Sequence, residues 1–254
     1  MATIPAEWRP HKAIWTAWPS AADLWGENLE AARAEVAAMV RALADGGRGE
    51  RMRVLVHRRE AGATGRVALG QSAEIIAAAF GDIWLRDTGP IFAADGRALG
   101  FRFNGWGGKY QLPHDEEVSA RIALLANAPF KMHDFILEGG AIEMDGEGAL
   151  LTTRQCLLNP NRNPGFSREE IEARLSDDLG VDRLLWLGDG LLNDHTDGHV
   201  DNLARFVGEG VLALPESAGN DDPKAGVYAD GRARAEAFGV KVVKLPSPGR
   251  VERD

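Results

Sequence analysis

Apolar and polar positions along this chain follow an order that recurs. Over residues 115–126, Val118, Ile122 and Leu125 fall at helical spacing. The run Lys131–Leu137 then reads as β and ends at Glu138-Gly139-Gly140. Ala141–Met144 and Ala149–Thr153 flank a turn at Asp145-Gly146, which predicts a hairpin. The order starts again at Ser167, which with Glu170 has the capping-box signature and opens a helix to about Asp178. Arg183–Leu187 reads as a short strand and Asp197-Gly198-His199 as a loop. Strands near 200–206 and 211–214 flank Gly208-Glu209-Gly210. An earlier copy is less clean. Ser72–Phe80 suits a short helix or an apolar strand, and Asp82–Arg86 is extended with Asp87 at its end. Ile91–Phe92 and Leu99–Phe103 surround a turn at Asp95-Gly96.

Parts of further copies lie at both ends. A helix near 231–238 and a strand, Val240–Leu245, lead to Pro246–Arg250 with no hairpin before Asp254. Lys12–Trp18 reads as a strand with no local partner. The helix after it, about Asn28–Ala44, places Val36, Met39, Val40 and Leu43 on one face and ends at Gly46-Gly47. Asp87, Glu138 and His199 hold similar places in three successive units, so units packed around an axis bring them together. No low-complexity linker interrupts the 254 residues, and the chain reads as a single α/β domain over 1–254.

Composition narrows the partners. Lys plus Arg is 29 against 38 Asp plus Glu, a net charge of −9, which argues against a nucleic-acid surface and suits a cationic or neutral ligand. The single cysteine, Cys156, excludes an internal disulfide and points to a reducing compartment. The first residues lack the apolar core of a signal peptide, and no uncharged apolar run reaches the ~18 residues of a membrane span. The expectation is a soluble cytoplasmic protein without a membrane partner. Glycine is abundant at 30 residues, and its clusters lie beside the polar motifs.

Five motifs could carry chemistry. Trp84-Leu85-Arg86-Asp87 could hold a planar cation between a carboxylate and an indole face, or could be a capped turn with a core tryptophan. Glu138 before two glycines is either a buried carboxylate or an exposed turn residue. Asn193–Asn202 is the densest polar run. Its His199 suits proton transfer, and Asp201, two residues on, shares a strand face with it. His199, Asp201, Glu138 and Asp87 could alternatively hold a metal ion, although no Cys cluster or His-Glu-x-x-His helix supports one. Phe103–Lys109 is no phosphate loop; it reads as a loop covering a ligand or a plain surface loop. Cys156, beside Leu157-Leu158, reads as a small buried apolar residue in preference to a nucleophile.

Together these motifs resemble the agmatine deiminase family, related to the bacterial-type peptidylarginine deiminases. The resemblance runs through Pro5–Trp8, Trp15–Pro19, Trp84–Pro90, Phe103–Lys109, Leu137–Gly140, Cys156–Pro164, Thr196–Asn202 and Leu245–Arg250. It implies a fivefold pseudosymmetric α/β propeller, the pentein fold. It also implies hydrolysis of agmatine to N-carbamoylputrescine and ammonia, a step toward putrescine, through a covalent cysteine intermediate. Asp87 and Asp201 match carboxylates that grip the guanidinium, Glu138 matches a further acid, and His199 matches the proton-transfer histidine. Trp84, His195 and Asp197 would lie along the substrate. No cofactor and no metal are implied, and a homo-oligomer is compatible with the resemblance. Two departures stand out. His195 replaces an acidic residue of many agmatine-specific relatives, which leaves arginine or peptidylarginine as alternative substrates. The family's Gly-Gly-x-His-Cys-type nucleophile motif is not in these 254 residues. The chain is therefore expected to be part of a longer enzyme lacking its last unit here, with a non-catalytic guanidine binder as the rival.

Overall fold

A computed structural model describes residues 3–219 and 221–250; the chain end beyond Arg250, where the last unit is expected to break off, lies outside them. Twelve strands form four three-stranded sheets among the described residues. The first holds β1 (Ile14–Ala17), β2 (Met52–Val56) and β3 (Glu74–Ala77), all parallel. The second holds β4 (Ile91–Phe92), β5 (Ala98–Arg102) and β6 (Phe130–Ile136). The third holds β7 (Ile142–Met144), β8 (Ala149–Thr153) and β9 (Arg183–Leu187). The fourth holds β10 (Arg205–Gly208), β11 (Val211–Glu216) and β12 (Lys241–Pro246). In the last three sheets an antiparallel hairpin is followed by a helix and a strand parallel to the hairpin's second member. This is the repeat that the sequence predicts.

The helices sit between the sheets. Ala149 and Leu151 of β8 face the core shared with β10, β11 and the helix Ala225–Phe238, while Leu150 between them faces the core of Ile171, Leu175 and Leu179 on the helix Arg168–Leu179. A strand buried on both faces needs apolar residues at odd and even positions, which explains the unbroken run Ala149-Leu150-Leu151. The helix Val118–Leu125 packs Val118 and Ile122 with Ala17 and Leu55 of the first sheet. The helices Val118–Leu125, Arg168–Leu179 and Ala225–Phe238 thus each pack against two sheets, while Leu29–Ala44 and Arg59–Leu69 cover the first sheet alone. The helix Arg168–Leu179 begins as expected: Ser167 accepts from the Glu170 amide, and Glu170 accepts from the Ser167 amide.

Several sequence expectations are corrected. The segment expected to be extended, Asp82–Arg86, bends and then forms a single helical turn, Leu85–Thr88, that carries Asp87. Residues 200–202 form a 3-10 turn and the strand begins only at Arg205, so His199 and Asp201 do not share a strand face. On the helix Leu29–Ala44, Val36 and Val40 are buried but Met39 and Leu43 are substantially exposed, the buried face being narrower and completed by Ala37 and Ala44. The helix expected from 231 starts at Ala225, because its glycines and arginines weaken the periodic signal without preventing the helix. Ser72–Phe80 contains the strand β3. No helix among the described residues is long and apolar enough to cross a membrane.

Candidate active site

Three single turns build the site. Each directly precedes a hairpin: Leu85–Thr88 before β4, Gly139–Ala141 before β7 and Val200–Asn202 before β10. Their backbones are in close contact. A methyl group on Gly139 would lie 2.1 Å from the Arg86 carbonyl oxygen. One on Gly140 would lie 2.6 Å from Asp87 Oδ1, 2.6 Å from His199 Nδ1 and 2.7 Å from Asp201 Oδ2. Those three side chains therefore converge above a residue that must be glycine to leave them room.

The anchors of each side chain are explicit. Asp87 Oδ1 accepts from the Gly140 amide at 3.0 Å and lies 3.6 Å from His199 Nδ1. Its Oδ2 accepts from Trp106 Nε1 at 3.0 Å. Glu138 Oε1 accepts from Arg162 Nε at 2.7 Å, while Oε2 is buried without a partner. His199 is fixed through its backbone, whose amide donates to Asp194 Oδ2 at 3.0 Å, and its Nε2 is also buried and unpartnered. Asp194 in turn accepts from the amide and hydroxyl of Thr196, so the polar run folds onto itself and leaves the His199 ring facing the acids. Beyond Asp201, Arg86 and Arg205 are held by Glu7 and the buried Glu143.

The electrostatics are those of an acid cluster short of positive charge. Burial pushes the Asp87 carboxyl up to about 7, and the neighbouring Asp201 and Glu138 add to this against the Trp106 and Gly140 hydrogen bonds. Burial also raises Asp201 despite the cations Arg86 and Arg205, and raises Glu138 despite Arg162. For His199, burial dominates and lowers it to about 4, so the ring is neutral at pH 7. A planar cation entering this space supplies the charge that the carboxylates lack, and two carboxylates can accept its parallel N–H groups.

The other expected residues are placed differently. Trp84 is 52% exposed and its hydrogen bond goes to Asp82, so its indole is not joined to the cluster by any described contact. His195 is exposed; its Nδ1 pairs with the Tyr110 hydroxyl at 2.6 Å and the two rings stack. Asp197 is enclosed by protein donors: Lys109 Nζ at 2.5 Å, Asn161 Nδ2 at 2.9 Å and Arg162 Nη1 at 2.7 Å. Burial would raise its carboxyl, but these donors hold it down at about 2. Asp197 thus clasps loops together with its charge already matched.

Sequence reasoning missed Trp106 and Arg162. The loop Phe103–Lys109 is neither a plain surface loop nor a loose cover, since Trp106 is buried, left-handed at φ 53°, and donates to Asp87. The glycines on either side of Trp106 were the available signal. Arg162 lies in Asn159–Pro164, a run whose residues do not themselves mark a buried cation. Cys156 is buried, as expected, yet it sits beside the cluster. One ligand atom each from Glu138, Cys156 and His199 lie within 4.8 Å of one another, the only such group among the described residues. That trio is not the quartet expected for a metal. Burial and the adjoining acids push the Cys156 thiol well above its ordinary range, and Arg162 already occupies one Glu138 oxygen. The trio suits a metal cation poorly, and a thiol so disfavoured as a thiolate is a poor nucleophile.

This fold and acid cluster place the chain in a deiminase family: residues 3–254 match the Porphyromonas-type peptidyl-arginine deiminases, and the chain belongs to that family. Among individual relatives, it is 39% identical to the agmatine deiminase of Stutzerimonas stutzeri (strain A1501), over 97% of this chain and 70% of that one. It shares 39% identity with the agmatine deiminase of Pseudomonas aeruginosa (strain UCBPP-PA14) over the same shares. The agmatine deiminase of Enterococcus faecalis superposes with a TM-score of 0.90 at 30% identity, covering 97% of this chain and 71% of that one. A substrate-bound agmatine deiminase of C. jejuni gives 0.91 at 27% identity, covering 100% and 76%.

Proposed function

We propose that this chain carries the guanidine-binding and proton-transfer half of an agmatine deiminase, which converts agmatine and water to N-carbamoylputrescine and ammonia. The observation that supports this most directly is the convergence of Asp87, His199 and Asp201 over Gly140, with a free Glu138 oxygen buried beside them. In this reading Asp87 and Asp201 accept the N–H groups of the guanidinium, and Glu138 faces it from a third turn. The carbon of a guanidinium is a poor electrophile, so hydrogen bonds that orient it and concentrate its charge lower the barrier.

A thiol supplies the nucleophile. Its proton passes to the neutral His199, sulfur bonds to the guanidinium carbon, and the C–N bond breaks as His199 returns that proton to the leaving ammonia. Water then gives one proton to His199 as its oxygen bonds to the carbon; the C–S bond breaks as His199 passes that proton to sulfur, and the remaining hydroxyl proton leaves with the released ammonia as ammonium, giving a ureido group and the thiol. Cys156 is buried and held protonated, so in this proposal the thiol comes from outside these 254 residues. The repeat of hairpin, helix and strand supports a fivefold pseudosymmetric propeller, of which this single domain, 1–254, supplies the described layers. Coverage of 70% of the curated relatives accords with a further unit. Cytoplasmic residence, within polyamine synthesis, and self-association belong to the same proposal; sedimentation of the purified chain reads the latter.

The test is ammonia release by the protein of the complete reading frame, with agmatine, arginine and arginyl peptides side by side. Agmatine turnover is expected, and release from only the other two overturns the substrate assignment. A second reading, a guanidine binder without catalysis, is favoured by the buried state of Cys156. A native stop after Asp254, with calorimetric agmatine binding and no ammonia, would establish it. Sensitivity to chelators would instead point to a metal hydrolase.

A further inference from the structure

Among the described residues, Arg162 is the one fully buried cation within hydrogen-bond reach of the site acids. Its side chain is 0% exposed, although it carries a permanent charge. Nε donates to Glu138 Oε1 at 2.7 Å. Nη1 donates to Asp197 Oδ2 at 2.7 Å and to Asn161 Oδ1 at 2.8 Å, and Nη2 donates to the Thr196 carbonyl at 2.9 Å. These partners lie on different connections: Glu138 enters the turn before β7, and residues 196–197 lie in the loop that delivers His199. A third connection closes over the guanidinium, since a methyl group on Gly107 would lie 2.6 Å from Arg162 Nη1, and Asn104 Nδ2 donates to the Asn161 carbonyl.

We propose that Arg162 is a positioning residue of this site: by holding one oxygen of Glu138 and the 196–197 backbone in fixed relation, it leaves the other Glu138 oxygen and the His199 ring facing one bound guanidinium. This rests on the agmatine reading for the identity of the ligand, but not for the geometry. The planar fork matters as much as the charge, because one ammonium cannot reach along three directions at once. The titratable groups around Glu138 are Arg162, Asp197, Asp87, His199 and the Cys156 thiol. Arg162 is the only permanent cation among them, so removing it leaves Glu138 facing acids and neutral groups.

Two readouts separate positioning from a purely structural role. The first is the carboxyl titration of Glu138 by 13C NMR; the second is agmatine affinity by calorimetry from pH 5 to 9. In Arg162→Met, the Glu138 midpoint is expected to rise by at least about one pH unit. Agmatine binding at pH 7 is expected to fall at least about tenfold and to recover partly at higher pH. In Arg162→Lys, the midpoint should stay near that of the wild type while affinity still falls about tenfold, because charge is kept and the fork is lost. Wild-type affinity in Arg162→Lys overturns the proposal, and that result decides the matter if Arg162→Met does not fold. A lowered melting temperature with the Glu138 midpoint and affinity unchanged also overturns it. If the wild-type protein itself does not bind agmatine, the substrate reading fails, and the Glu138 titration still judges Arg162.

Discussion

Asp87 shows how a single residue is prepared for a ligand. Burial pushes its carboxyl up to about 7, so below that pH it carries a proton and cannot accept a guanidinium on both oxygens. Binding then requires loss of the proton, and agmatine affinity is expected to rise with pH through about 7 and level off above it, as calorimetry in buffers of different ionisation heat would show. Trp106→Phe removes a hydrogen bond that favours the ionised form. The midpoint of that rise should therefore move up, and affinity at pH 7 should drop several-fold. Stability runs the other way. The folded carboxyl titrates above its unfolded value, so Asp87 destabilises the fold as pH rises from about 4 to 7. Asp87→Asn should raise the melting temperature by several degrees at pH 8 and by little at pH 4, read by a thermal scan, while removing the rise in binding centred near pH 7.

Among the elements, legibility followed whether a signal was local. The capping box at Ser167 and Glu170 needs only four consecutive residues, and it forms as read. Ser167→Ala is expected to cost about 1 kcal/mol, lowering the melting temperature by roughly 2–4 °C. Hairpins around Asp95-Gly96 and Asp145-Gly146 were legible for the same reason: the aspartate folds back on nearby amides, as Asp145 does on those of Glu147 and Ala149. The turns that carry the site were not. Strand alternation would place His199 and Asp201 on one face, but they converge over Gly140 through a 3-10 turn braced by Asp194. The glycines around Trp106 marked an unusual turn but not its partner, because Asp87 lies 19 residues away; the Glu138 partner of Arg162 lies 24 residues away. Asp87 and Glu138, by contrast, were placed by their position in the repeat, which is a property of the whole order of elements.

At the level of the molecule, a helix packed between two sheets ties them into one core. Leu175, on the helix Arg168–Leu179, belongs to a cluster that joins Phe101 of the second sheet to Leu150 of the third. Leu175→Ala is expected to cost about 2–5 kcal/mol in chemical unfolding, with both sheets losing stability together, because the cavity opens between them. The same packing brings the turn before each hairpin toward those of its neighbours, so the site's walls come from three layers and are not grown from one loop.

That shared wall has a mechanical corollary. A guanidinium seated across three thresholds acts as a rivet, since each layer can tilt away only by letting go of it. Saturating agmatine should therefore slow amide hydrogen exchange in Leu85–Thr88, Gly139–Ala141 and Val200–Asn202 by a common factor, and leave the distant helix Leu29–Ala44 nearly untouched. Slowing confined to one of the three turns would mean that the cation is gripped from a single side. A rivet of this kind makes occupancy itself a source of rigidity, and the empty molecule the looser of the two.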